Sequence, residues 1–329
     1  YFGCFNDNAL KQEFKAYKNI YFIEYKSKSR VFRMLSEIPK LIKKHQFNFA
    51  HFQYVIPFFK SENCQYIVTI HDILFNDFKD YFSWTYRIKR NFLFKNSAKK
   101  SDFLITVSNY SKERIKEQYK LKDKEIFITP NGVNSIFFED YDKQKSIEYI
   151  SNKFNVENYI LYVSRVEPRK NQQLLLKSFI ELEDKNLNLV FLGKKTLKNK
   201  ELEDTLNNIS KEDKQRIFFF EDIEGSDLVE FYRAANVFVY PSLAEGFGIP
   251  PIEAGALKIP VLCSENTAMK DFKFFKPYHI NIKDESLFRE KLTHFLINYS
   301  ALNTNETSTF IKENYTWKNA AIMLSKIVK

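Results

Sequence analysis

Residues 236–264 read NVFVYPSLAEGFGIPPIEAGALKIPVLCS. An apolar run, NVFVY, is stopped by Pro241 and Ser242, and a loop, LAEGFG, follows. Pro250 and Pro251 then suit the first turn of a helix, where a missing N–H costs nothing. That helix runs through Ala256, and a second apolar run, IPVLCS, closes the unit. Strand, helix and strand in this order are the unit of an α/β fold. The whole chain has only seven glycines, yet Gly246, Gly248 and Gly255 all lie here. The first two let the backbone bend and present N–H groups outward, and such donors beside a helix N-terminus suit a phosphate. Taken alone, Glu253 reads as a first-turn carboxylate favoured by the helix dipole, and Glu245 as a solvated loop residue.

The same alternation extends in both directions. Strand-length apolar runs lie at 20–25, 47–52, 65–70, 103–108 and 125–130, and a second series at 159–164, 188–193, 216–221, 236–241 and 259–264. Many are apolar on both faces, as strands of a covered parallel sheet must be. Helical periodicity falls between them, at 111–120, 171–183 and 226–235. The expected fold class is therefore α/β with doubly wound sheets. A polar segment, 134–158, separates the two series and divides the chain into two facing domains, 1–150 and 151–314, followed by a C-terminal helix at 315–329 that packs back toward the first. Ligands of such sheets bind beyond the carboxyl ends of the strands. That rule nominates His71 and Asp72, Ser108, Asn131 and Gly132, Ser164 and Arg165, and Gly193.

Composition bounds the remaining classes. A chain of 329 residues exceeds what one core usually supports, and 44% hydrophobic residues suffice for real cores. No apolar run approaches the length of a spanning helix, and charges stand where a signal peptide would be apolar. Three cysteines far apart, Cys4, Cys64 and Cys263, read as buried thiols in a reducing cytoplasm. The five histidines show no metal-binding spacing. A net charge of +10 would attract nucleic acid, an anionic membrane surface or a phosphorylated small molecule alike.

The motif residues narrow this. EGFGIPPIE (245–253) resembles the two-glutamate motif of retaining GT-B glycosyltransferases, in particular glycosyltransferase family 4. YILYVSRVEPRKN (159–171), IHDILF (70–75), TVSNYSKERI (106–115), ITPNGVN (128–134) and YTWKNAA (315–321) are similar to further segments of that family, in order along the chain. HFQYVIPFF (51–59) is close to its mannosyltransferase-like branch. The resemblance implies a GT-B fold, two Rossmann-like domains facing a cleft, and transfer of a mannose-like hexose from a nucleotide-sugar donor. A GDP- or UDP-linked donor is expected, with no cofactor and no metal. Arg165 and Lys170 match the diphosphate-binding pair, and Glu253 the residue that holds the ribose. Glu245, with the backbone of Gly246, Phe247 and Gly248, would hold the donor sugar and its phosphate, and Gly193 lies near the base. His71 matches a histidine that reaches the donor sugar; without the family it reads as a core or capping histidine. The expected catalytic set is His71, Arg165, Lys170 and Glu245. Retention would proceed by front-face attack, the leaving phosphate assisting deprotonation of the acceptor.

The implied acceptor is a growing surface glycan or a lipid-linked one, placing the protein in the cytoplasm or at the inner face of the membrane. KDYFSWTYRIKRNFLFKNSAKK (79–100) mixes cations and aromatics. It reads either as a face for an anionic membrane or as an ordinary helix with its aromatics in the core. No nucleic-acid motif accompanies it. Three departures stand out. The family's opening strand and glycine-rich loop have no counterpart before residue 20, so a non-catalytic partner subunit is the alternative function. Ser164 replaces a usual Gly, and so does Lys258.

Overall fold

The computed structural model describes residues 1–5, 8–282 and 284–329. Twelve strands lie among them. They are β1 (Phe2–Cys4), β2 (Phe22–Glu24), β3 (Phe49–Gln53), β4 (Gln65–Thr69), β5 (Phe103–Thr106), β6 (Ile126–Ile128), β7 (Tyr159–Val163), β8 (Asn188–Leu192), β9 (Ile217–Phe220), β10 (Val237–Tyr240), β11 (Val261–Ser264) and β12 (His279–Ile280). Each of the ten apolar runs falls on one of them, with β3 extending one residue past its run, to Gln53. The two unforeseen strands, β1 and β12, have three and two residues, too short for any periodicity to register.

β1 and β2 pair in parallel, and β3-β4-β5-β6 form a second sheet in sequence order. The third sheet runs β12-β11-β10-β7-β8-β9, with parallel pairings. Counted from β7, that is the doubly wound order 3-2-1-4-5-6, reversed in direction. Its helices cross over between strands at Gln172–Ile180, Lys200–Asn208, Gly225–Ala234 and Ile249–Ala256. β8 and β10 are apolar because both faces are covered: Leu189, Val190, Val237, Phe238 and Val239 are fully buried. Each such side chain contributes about 1.5–3 kcal/mol on removal from water.

The chain divides into two compact units. One comprises Tyr1–Ile70, Trp84–Ile105 and Tyr119–Phe127; the other comprises His71–Ser83, Thr106–Gln118 and Ile128–Lys329. The segments that leave β4 and β5 thus belong with the third sheet. Cys64 and Cys263 are buried, as expected, but Cys4 is only half-buried because it ends the short strand β1.

The opening stretch folds as strand, loop, helix and strand. The helix begins one residue earlier than the prolines suggest, at Ile249, with Gly248 capping it at φ 106°, a left-handed backbone that favours glycine. Glu253 therefore lies past the first turn, out of reach of the dipole effect expected for it. Gly255 has its own reason. A Cβ there would lie 2.6 Å from Ile311 Cδ1 and 2.9 Å from the Phe275 ring, where the Thr304–Asn314 helix packs. Lys258, standing in place of a glycine, follows the helix at φ 62° and bears the strain that a glycine would avoid.

Candidate functional site

Among doubly wound sheets the ligand crevice opens where neighbouring strands send their connections in opposite directions. Here that point lies between β7 and β10. Beyond β7 the chain makes a single 3-10 turn, Pro168–Lys170, which buries Lys170. Beyond β10 it enters the Glu245 loop. Lys170 Nζ lies 2.5 Å from Glu245 Oε1 and 3.2 Å from the Tyr240 hydroxyl. Ser242 and Tyr240 each donate to the same Glu245 oxygen at 2.8 Å. Arg169 stands 3.7 Å from the other oxygen and donates to the Ala244 carbonyl at 2.8 Å. Burial pushes the Glu245 carboxyl up, but Lys170 and Arg169 outweigh it and hold it below the usual carboxylate range. Burial also draws the Lys170 ammonium below its ordinary value, with Glu245 opposing.

Arg165 sits differently from Lys170. Its side chain is 61% exposed and lies 3.3 Å from Glu167 Oε1, while the second Glu167 oxygen holds Arg169 at 2.8 Å. Glu167 thus links an exposed arginine to a buried one. Gly193, at φ 139°, ends β8 where a Cβ would lie 2.2 Å from the Ser164 carbonyl. Its lack of a side chain lets the ends of β7 and β8 close up.

The Gly246–Gly248 loop is held from the opposite side. Ser108 donates to the Gly246 carbonyl at 2.8 Å and Ser111 at 3.3 Å. A Cβ on Gly246 would lie 2.7 Å from the Asp72 side chain. Burial raises the Asp72 carboxyl, with the Leu74 N–H and Arg169 opposing. Neighbouring His71 is half-buried, its imidazole pulled below the ordinary value by burial, with Asp72 opposing. Phe247 turns its ring inward, 5.7 Å from Phe272 and edge-on to it. Among the described residues, the N–H groups of Phe247, Gly248 and Ile249 have no protein acceptor.

Glu253 occupies a separate place. It accepts from the Tyr232 hydroxyl at 2.9 Å, and burial pushes its carboxyl up to about 7. Tyr162, Tyr240, Phe238 and Tyr232 form a stacked row with centroids 5.1, 5.8 and 5.5 Å apart. One end of that row touches Lys170 and Glu245, the other Glu253. The two glutamates are therefore anchored at opposite ends of one buried strip, not paired across a single bond.

The arrangement offers a buried cation, a carboxylate kept ionised and open backbone donors at the mouth of a doubly wound sheet. Two sequence families cover nearly the whole chain: "Glycosyltransferase Family 4" matches residues 4–135 and "Glycosyl transferases group 1" residues 143–304. The chain belongs to the GT-B glycosyltransferases of family 4. The chain is 28% identical over 240 residues to the O-antigen chain mannosyltransferase RfbU of Salmonella typhimurium, an alignment covering 73% of this chain and 62% of RfbU. The chain thus spans less than two thirds of that relative. A glycosyltransferase structure from Rickettsia africae superposes with a TM-score of 0.73 at 18% identity, covering 99% of this chain and 89% of that one. Anabaena HepE in complex with UDP-glucose superposes with a TM-score of 0.70 at 13% identity, covering 99% and 89%. At such identities the structures speak for the fold.

Some site residues escaped the sequence reading. Arg169, Glu167, Tyr240 and Ser242 all bear on Glu245 directly or through one partner. Asp72 was nominated only by its place after a strand. The signal for Arg169 was present, an arginine beside Lys170, but nothing in the string says which of two arginines turns inward.

Proposed function

We propose that this protein transfers a hexose, mannose in the first instance, from a GDP- or UDP-linked donor to a growing surface glycan or lipid-linked acceptor, with retention of configuration. The observation that carries the reading is the open Phe247–Ile249 N–H set beside the Lys170–Glu245 pair at the sheet's switch point. Such donors and cations suit the charge that develops on a departing diphosphate. Lys170 and Arg165 would take the phosphate oxygens, Arg165 through its forked guanidinium. Glu245 would accept from a hydroxyl of the donor sugar, Glu253 from the ribose, and His71 would reach the sugar as a neutral imidazole. Gly193 would lie near the base. The β-phosphate would accept the acceptor's proton as the glycosidic bond to the donor breaks. RfbU supports mannose, and a lipid-linked acceptor would draw the protein to the inner face of the cytoplasmic membrane.

The test is release of nucleoside diphosphate from GDP-mannose and UDP-sugars in the presence of a lipid-linked glycan. Arg165→Ala is the informative variant. Its side chain is exposed, so folding should persist while turnover falls by about 10²–10³. Unchanged turnover would remove Arg165 from the mechanism. Glu245→Ala is a poorer test, because leaving Lys170 and Arg169 without their carboxylate costs about 3–5 kcal/mol of stability by itself.

A further inference from the structure

Two hydroxyl groups converge on one carbonyl of the Glu245 loop. The Gly246 oxygen accepts from Ser108 at 2.8 Å and from Ser111 at 3.3 Å, so both of its lone pairs are used. The two serines are buried, at 4% and 1% exposure. They stand at the start of the Asn109–Tyr119 helix, far from the loop in sequence. Ser108 caps that helix. Its carbonyl accepts from the Lys112 N–H at 3.0 Å, and its hydroxyl oxygen accepts from the Ser111 N–H at 3.2 Å. The cap uses only the Ser108 oxygens, which leaves the hydroxyl proton for Gly246, and it makes no use of the Ser111 hydroxyl at all. The loop is held on its other sides as well. Glu245 N–H donates to the Thr267 hydroxyl at 2.8 Å, and the Asp72 side chain leaves no room for a Cβ on Gly246.

The Gly246 carbonyl and the Phe247 N–H belong to one trans peptide and point in opposite directions. Fixing the carbonyl against the helix start therefore aims the N–H away from that helix. Among the described residues this N–H has no protein acceptor. We infer that Ser108 and Ser111 are positioning residues: they hold the Gly246–Phe247 peptide so that its N–H meets the β-phosphate of the donor, the one bonded to the sugar. Two hydrogen bonds on the carbonyl also polarise the peptide and strengthen its N–H as a donor. The carbonyl's negative end faces the positive end of the Asn109–Tyr119 helix, which holds it further. A bond to a charged phosphate oxygen is stronger than a neutral one and depends on its aim. Ser108, nominated by its place after β5, thus works from behind the site. The inference rests on the nucleotide-sugar reading, and pyrophosphate as a probe lets either fail alone.

Titration calorimetry measures the affinity of the protein for GDP, UDP, their monophosphates and inorganic pyrophosphate. In Ser108→Ala with Ser111→Ala, affinity for the diphosphate that the parent binds, and for pyrophosphate, should fall about tenfold, the share of one hydrogen bond to a charged group. Affinity for the matching monophosphate should hold, because it lacks the β-phosphate. Ser111→Ala alone leaves the helix cap intact and should show part of the same selective loss, which keeps the comparison should the double variant unfold. Ser108→Thr keeps both hydroxyl and cap and should bind as the parent does. Asp284→Ala removes the cap of the Glu285–Asn298 helix, where Asp284 accepts from the Ser286 and Leu287 N–H groups. It should lower the melting temperature without any selective loss. The inference is overturned if the folded serine variants bind diphosphate and pyrophosphate as the parent does. It is equally overturned if mono- and diphosphate weaken alike, or if Asp284→Ala shows the same selectivity. A parent that binds pyrophosphate but neither GDP nor UDP sinks the donor reading alone, and the loss of pyrophosphate affinity then supports the inference. A parent that binds none of the three sinks both.

Discussion

Glu253 is a buried carboxylate hydrogen-bonded by a phenol, that of Tyr232. Its folded-state value of about 7 stands above the ordinary 4.5, because burial outweighs the Tyr232 hydrogen bond. Between those values the native state keeps a proton that the unfolded chain has released. The contribution to stability is therefore fully present at or below pH 4.5 and is lost as pH rises through about 7. It amounts to about 3 kcal/mol. In Glu253→Gln the group no longer titrates, so that part of the slope should vanish. Urea denaturation of both proteins at pH 5 and pH 8 measures the difference, and an unchanged slope would refute the assignment. Glu245 behaves in the opposite sense. Lys170 and Arg169 hold it below the usual carboxylate range, so it is an ionised acceptor at neutral pH. Two glutamates eight positions apart thus acquire different proton affinities because burial raises both, and of the two only Glu245 faces buried cations that outweigh it.

The Ile249–Ala256 helix carries Glu253 and follows the Glu245 loop, and its two ends are unequal. At the start, Gly248 holds φ 106° with Met269 Cγ 2.9 Å from where a Cβ would stand. Gly248→Ala should therefore destabilise by about 1–3 kcal/mol. At the finish, Lys258 holds φ 62°, the left-handed position after a helix that glycine prefers. Lys258→Gly should stabilise by about 0.5–1 kcal/mol, the released strain exceeding the added freedom of the unfolded chain. Denaturant midpoints at constant slope read both changes. A destabilised Lys258→Gly would mean that the lysine side chain offsets its own backbone strain. The helix itself was legible in sequence through its prolines. Its first residue was not, because Ile249 precedes them and a left-handed cap leaves no trace except a glycine.

Across the whole molecule, the chain returns to close its larger unit. Val133 N–H donates to the Tyr315 carbonyl at 2.8 Å, and Val133 bridges Thr316 in parallel. Gly132 makes room for this: a Cβ there would lie 2.1 Å from the Trp317 nitrogen. Gly132→Ala should free the Trp317–Ile327 helix, raising its amide exchange while β7 and β8 stay protected, at a cost of about 1–3 kcal/mol. Gly225→Ala is the control, since nothing lies within 4 Å of its Cβ. Equal exchange in both variants would show that Gly132 is not what holds the carboxyl-terminal helix.

The α/β class, the ten principal strands and the placing of Lys170 and Glu245 in loops that follow strands were legible in the string. Parallel strands covered on both faces leave apolar runs, and loops that follow them leave consecutive motifs. β1 and β12 were not legible, because pairing by two or three residues depends on neighbours distant in sequence. The order β12-β11-β10-β7-β8-β9 was decided by tertiary packing, and with it the switch point that joins the ends of β7 and β10. That juxtaposition buries Arg169 and leaves Arg165 in solvent, although both belong to one loop. Packing inside the other unit decides which side of the Trp84–Lys100 helix, that of Phe94, Ser97 and Ala98, is buried. By itself the sequence determined which elements form and which charged residues end them. Only the tertiary structure decided which charges share a buried site, because burial and pairing are properties of chain segments meeting across the fold.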